Sequence, residues 1–94
     1  MTGTRWRKRP VTVDAVLNDG KWATIIAWLD TIGYTVPFLG RPAITRNFDG
    51  SLNITTLEGV MRAEVGDWVV RGVAGEFYPV RADIFDATYE PELP

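Results

Sequence analysis

Residues 66–79 read GDWVVRGVAGEFYP, two short apolar runs set between glycines at 66, 72 and 75. Glycines beside Asp67 and Glu76 are compatible with a phosphate-cradling loop. The spacing, however, is neither that of the Walker loop nor that of the dinucleotide fingerprint, and no helix is expected directly after it. The alternative is that each glycine takes a turn conformation closed to other residues, with Trp68, Val70 and Phe77 as core. That reading is preferred, and it decides the fold: short strands joined by tight turns, an antiparallel meander. Pro79 cannot donate to a ladder and so belongs at an edge or strand end.

Working upstream, NFDG (47–50) sets a register. Asn, Asp and Gly at these places suit a type I turn closed by a left-handed glycine, giving a three-residue loop with a bulge. Asn47 then pairs with Ser51, and Ile44 lies opposite Ile54. A two-residue loop would instead put Ile44 opposite Thr55, turning every side chain to the other face. The strand LNITTL (52–57) ends at a turn on Glu58-Gly59, VMRAEV (60–65) returns, and Gly66-Asp67 turns again. Nearer the start, PVTVDAVL (10–17) alternates as a strand, with Val11, Val13 and Ala15 on one face. Asn18 or Asp19 supplies a cap for a helix over KWATIIAWLDTI (21–32). Its stripe is Trp22, Ile25, Ile26, Leu29 and Ile32, with Trp28 to the side and Gly33 at the C-terminal end. Downstream, Asp83 caps a single helical turn carrying Ile84 and Phe85, and ATYE (87–90) forms a last short strand.

The expected class is α+β: one amphipathic helix packed on a bent antiparallel β-meander, turned tightly enough to close partly into a barrel. The 94 residues make a single domain, 1–94, with a flexible basic arm at 1–8 and a frayed tail at 91–94.

Composition removes several function classes. The chain has no His and no Cys. Ser-His-Asp triads, His metal sites, thiol chemistry and Cys-ligated zinc are therefore closed to it, and no enzyme, cofactor or metal is expected. No apolar signal region follows the opening residues, and runs such as IIAWL are too short to span a bilayer. The expectation is a host-cytoplasmic location away from membranes. Net charge is −2, with seven basic and three acidic residues up to position 46 and three basic and nine acidic after it.

The run GDWVVRGVAGEFYPVRADIFDATYE (66–90) resembles a family of small proteins encoded by tailed phages and prophages, whose pattern reads P-G-D-W-I-I-x-G-V-x-G-E-F-Y-P-C-x-P-D-I-F-x-x-T-Y-E. The match covers roughly the last third of the chain, with an echo in RPVTVDAV and IIAWL. Val65, Val80 and Ala82 depart from it, where the family carries Pro, Cys and Pro. The resemblance implies an origin and not a mechanism.

Four site readings follow from the residues. The leading one is a non-enzymatic phage accessory protein that binds a host protein and modulates its function. It would use the apolar loop YTVPFLG (34–40), with Phe38, Leu39 and Trp28 at the centre of the surface; the other reading of the same loop, and the one its residues favour slightly, is core that closes the barrel end. The alternative is sequestration of a nucleotide-like small molecule in an aromatic pocket, with Arg46, Arg62, Arg71 and Arg81 as anion partners. A weaker alternative is nucleic-acid binding by the arm Arg5, Trp6, Arg7, Lys8 and Arg9, which the net negative charge disfavours. The plainer reading of the arm folds Trp6 back on the sheet. Asp67, Glu76, Asp83 and Asp86 are weighed as an acid/base or cation site and assigned instead to turns, a cap and an exposed strand, with Glu76 paired to Arg71. Exposed strand edges also allow two copies to pair.

Overall fold

The computed structural model describes residues 3–7, 9–36 and 40–92. In chain order the elements are β1 (Asp14–Leu17), α1 (Trp22–Thr31), β2 (Ile44–Arg46), β3 (Leu52–Thr56), β4 (Gly59–Ala63), β5 (Trp68–Arg71), β6 (Phe77–Val80) and α2 (Ala82–Thr88). The α+β class holds, but the strands do not form one meander and no barrel closes. They make two three-stranded antiparallel sheets, β1-β5-β6 and β2-β3-β4. The departure comes from β1, which passes over its sequence neighbours and pairs with β5, Val16 opposite Val69.

The NFDG turn forms as its residue types predict. Asn47 N–H donates to Ser51 O at 2.9 Å, Gly50 takes φ 88°, and Ile44 faces Ile54. The next turn sits one residue earlier than expected. Thr56 pairs with Gly59, so Leu57 and Glu58 form the loop and Leu57 is fully exposed. The Thr56 hydroxyl accepts from Glu58 N–H and donates to Gly59 O, holding it there.

Helix α1 spans ten residues. It ends in a Schellman motif: Tyr34 N–H reaches Leu29 O at 2.9 Å and Gly33 N–H reaches Asp30 O at 3.1 Å. Lys21 holds the N-cap position and makes no side-chain cap bond. Asp19 stands two residues before it and accepts from Lys21 N–H at 2.9 Å and the Thr24 hydroxyl at 2.7 Å. The apolar stripe is rotated from the expected one. Ile25 and Leu29 are buried, Trp28 and Ile32 lie against the core, and Ile26 is 47% exposed. Counting i, i+3, i+4, i+7 from Ile25 selects 25, 28, 29 and 32, whereas counting from Trp22 includes Ile26 and leaves out Trp28.

One core cluster joins Ile25 and Leu29 to Ile44, Leu52, Ile54, Ala63, Val69 and Phe77. Trp28 and Tyr34 both meet Phe77 edge-on, at 5.8 and 5.2 Å between ring centroids. β1 is shorter than expected, Val11 is exposed, and Val16 rather than Val13 and Ala15 turns to this core.

The β1-β5-β6 sheet is covered on its second face as well. Trp68 and Val70 alternate with Val69 and so face away from the main core, yet Val70 is fully buried. Phe85 stacks on Trp68 with centroids 4.1 Å apart and planes 5° apart, and Tyr89 stacks on Phe85 at 4.9 Å. The i, i+4 spacing of Phe85 and Tyr89 brings both rings to one side of a helix. This is why 87–88 are helical rather than the expected strand. Asp83 lies within the first turn of α2 and pairs with Arg81 instead of capping.

At the termini, Trp6 is 91% exposed and does not fold back on the sheet, and the Glu92 carboxylate accepts from the Thr12 hydroxyl. No helix among the described residues is long and apolar enough to cross a membrane.

Candidate functional site: a cation-rimmed aromatic cleft

Three separated pieces of chain converge beside the start of α1. The loop Asn18–Lys21, Trp22, the β2–β3 hairpin and Arg62 of β4 enclose a cleft of about 840 Å³. Its floor is tied by Asn18, which is buried although polar. The Asn18 amide nitrogen donates to Gly50 O at 3.0 Å and lies 3.4 and 3.3 Å from Ala63 O and Glu64 O, while its side-chain oxygen accepts from Gly20 N–H. Its backbone exchanges bonds with Gly66 and Asp67. A buried amide is tolerable only when satisfied in this way, and here it locks the loop, the hairpin and the β4–β5 turn in one geometry.

Arg46 follows from the register. Opposite Leu52, it shares the core-facing side of the sheet, but at the strand end, where its guanidinium carbon lies 5.7 Å from the centroid of the Trp22 ring. Such a contact is worth about 0.5–1 kcal/mol at an exposed site. Phe48 projects fully into solvent at the hairpin tip. The second position of a tight turn has no sheet behind it, which is the signal that identifies this ring as a surface aromatic. Asp49 is the one carboxylate lining the cleft among the described residues. It accepts from Ser51 N–H at 2.9 Å and Ser51 Oγ at 2.5 Å and pairs with Arg62. These bonds, those to Ser51 foremost, hold its carboxyl below the usual range. Arg62 also donates to Glu64 at 2.6 Å, and the two carboxylates, Glu64 first, raise the guanidinium pKa further.

Of the four arginines expected at an anion site, Arg46 and Arg62 come together. Arg71 lines a shallower depression of about 490 Å³ with Thr12–Asp14 and Gly72–Gly75. Its guanidinium donates to Ile32 O at 3.2 Å and lies over the Phe77 ring, and it forms no pair with Glu76. Arg81 is exposed and paired with Asp83. Lys21, Trp22, Phe48 and Asp49 escape a reading of the sequence alone, because nothing local links 21–22 to 46–49. The proposed partner surface fares differently: Trp28 is taken up against Phe77, whereas Phe38 and Leu39 lie outside the described residues. In the basic arm, Arg5, Arg7 and Arg9 are exposed with Trp6, and Lys8 lies outside the described residues.

The four carboxylates weighed as a site do not act together. Asp67 accepts from Glu64 N–H at 2.9 Å, as a turn residue does, and Asp83 holds Arg81. The Glu76 carboxylate lies over Gly72, where a Cβ would stand 1.6 Å from its oxygen. In the signature, therefore, Gly66 and Gly75 take positive φ, whereas Gly72 does not, and its one close neighbour is the movable end of the Glu76 side chain. No cluster of three or more acidic groups among the described residues is disposed to hold a metal ion. No protein-family profile, curated protein or solved structure matches the chain.

Proposed function

We propose that this chain is a non-enzymatic binding protein that takes a nucleotide-like ligand in the cleft between α1 and the β2–β3 hairpin. The observation that carries the reading is the Arg46–Trp22 stack in a cleft also lined by Phe48 and Lys21. It sets cations beside exposed aromatic surface, as an anionic ligand with a flat ring needs. Asn18 supports it by holding the walls in place before any ligand arrives, which reduces the ordering cost of binding. The motif over 66–90 supports a phage or prophage origin, and in that setting the protein would act by withdrawing the ligand from the host pool. A host-protein partner rests on the loop around Phe38 and Leu39, without Trp28 as an exposed member.

Equilibrium dialysis of the purified chain against labelled nucleotides tests the proposal. Retention by the wild type that is lost in Arg46→Ala and Trp22→Ala supports it. A wild-type protein that retains none of them sinks it.

A further inference from the structure

We infer that the cleft is matched in charge to a nucleoside monophosphate, with the phosphate held by Arg46 and Lys21 and the base stacked on Phe48. The inference rests on the nucleotide reading and goes further in assigning the ligand's charge. Among the described residues three cations line the cleft, but they are not equivalent. Arg62 is held by Asp49 and Glu64, so its charge is already answered. Arg46 and Lys21 form no ion pair among the described residues. Asp19 acts on Lys21 through space but makes no ion pair with it, its carboxylate oxygens being bonded to the Thr24 hydroxyl and the Lys21 backbone N–H. Two cations of the lining therefore remain without an ion pair and can turn to the ligand. A phosphomonoester carries roughly −1.5 to −2 at neutral pH, which two cations balance.

A triphosphate fits this cleft poorly. Its further charge needs more cations or a bound magnesium ion, and protein carboxylates usually help hold that ion alongside the phosphates. Asp49, the one carboxylate in the lining among the described residues, is engaged by Ser51 and Arg62. For the base, one side of Trp22 is occupied by Arg46, whereas the Phe48 ring is fully exposed. Placing the base on Phe48 leaves the Arg46–Trp22 contact intact.

Titration calorimetry on the full chain tests the inference with the four ribonucleoside 5′-monophosphates, the matching triphosphates with and without magnesium, and inorganic phosphate. At least one monophosphate should bind roughly tenfold or more tighter than its triphosphate under either condition, and tighter than phosphate alone. Arg46→Ala and Lys21→Ala should each weaken it about tenfold, the scale of one charge-assisted hydrogen bond. Both side chains belong to exposed residues, so the variants keep their fold. Glu64→Gln removes one of the charges answering Arg62 and should narrow the gap between triphosphate and monophosphate. A triphosphate that binds more tightly, or only with magnesium, overturns the inference and leaves the nucleotide reading standing. Equal affinities across the series also overturn it, and no binding by any nucleotide removes both.

Discussion

The buried Asn18 side chain donates to the backbone carbonyl of Gly50 at 3.0 Å, across thirty-two positions of sequence. One amide thus joins the loop before α1 to the tip of the β2–β3 hairpin, and the cleft exists because of it. Asn18→Ala takes their partner from the two closest groups, the Gly50 carbonyl and the Gly20 N–H. The expected loss is about 2–6 kcal/mol by urea denaturation, at one to three for each of these two groups left unsatisfied. Asn18→Asp should be worse at neutral pH, because it turns a carboxylate toward three carbonyl oxygens. Part of that deficit should return as the pH is lowered and the acid is protonated. Equal stability of the two variants at every pH would contradict this account.

Gly50 tests how closely the two pieces approach. At φ 88° an added Cβ would stand 3.0 Å from Val65 Cγ2 and 3.2 Å from Gly20 Cα. Gly33 also has positive φ, 74°, but nothing lies within 4 Å of its virtual Cβ. Gly33→Ala should cost about 1–2 kcal/mol from left-handed strain alone. Gly50→Ala should cost at least about 1 kcal/mol more, because the added methyl presses on the Val65 side chain and on the Gly20 backbone behind it. Thermal melts of the pair measure the difference.

The rings on the far side of β5 make a separate prediction. Trp68→Ala should destabilise by about 3 kcal/mol, the low end for a large aromatic because its ring is half-buried. Phe85→Ala removes the ring between Trp68 and Tyr89. It should speed hydrogen exchange at the amides of Phe85 in α2 and of Tyr89 at its C-terminal cap, which bond to Arg81 O and Phe85 O. Exchange in β3 should stay slow. Uniform acceleration through the whole chain would mean that α2 is not a separable layer.

Tyr78 predicts an alkaline limit. Burial first, and then the bond with the Tyr89 hydroxyl, push its pKa up from 10.0 to about 12. The folded protein keeps this proton where the unfolded chain has lost it. The contribution to stability is therefore full below pH 10.0 and declines as the pH approaches about 12. Tyr78→Phe should show a shallower fall over that window. Parallel slopes for wild type and variant would locate the alkaline transition elsewhere.

What could be read in advance follows the range of the interaction. The NFDG turn and the Gly33 stop are settled by neighbouring residues, and Ile44 opposite Ile54 followed from them. The α1 stripe was legible in its period but not its phase, because Trp22 and Ile25 are both plausible starting points. Asp83 looked like a cap because its type suits one. The stacking of Phe85 and Tyr89 on Trp68 favours a longer helix, and a contact across the sheet leaves no mark on the local pattern. The pairing of β1 with β5 is of the same kind. So is the cleft, where the charge of Arg46 marks it as an anion partner, while Trp22 and Phe48 gain meaning only once Asn18 draws their loops together.

That pairing also orders the life of the newly made chain. Each hairpin, β2 with β3, β3 with β4 and β5 with β6, closes over a short loop, but Asp14 must wait for Arg71. Long closures are slow because entropy is lost before contacts repay it. A ribosome therefore releases β1 early and its partner late. In that interval the β2-β3-β4 sheet can assemble, while β1 drifts as an unclaimed edge with Val16 bare. The span during which this protein is most open to wrong strand partners is thus set by translation speed between residues 17 and 71.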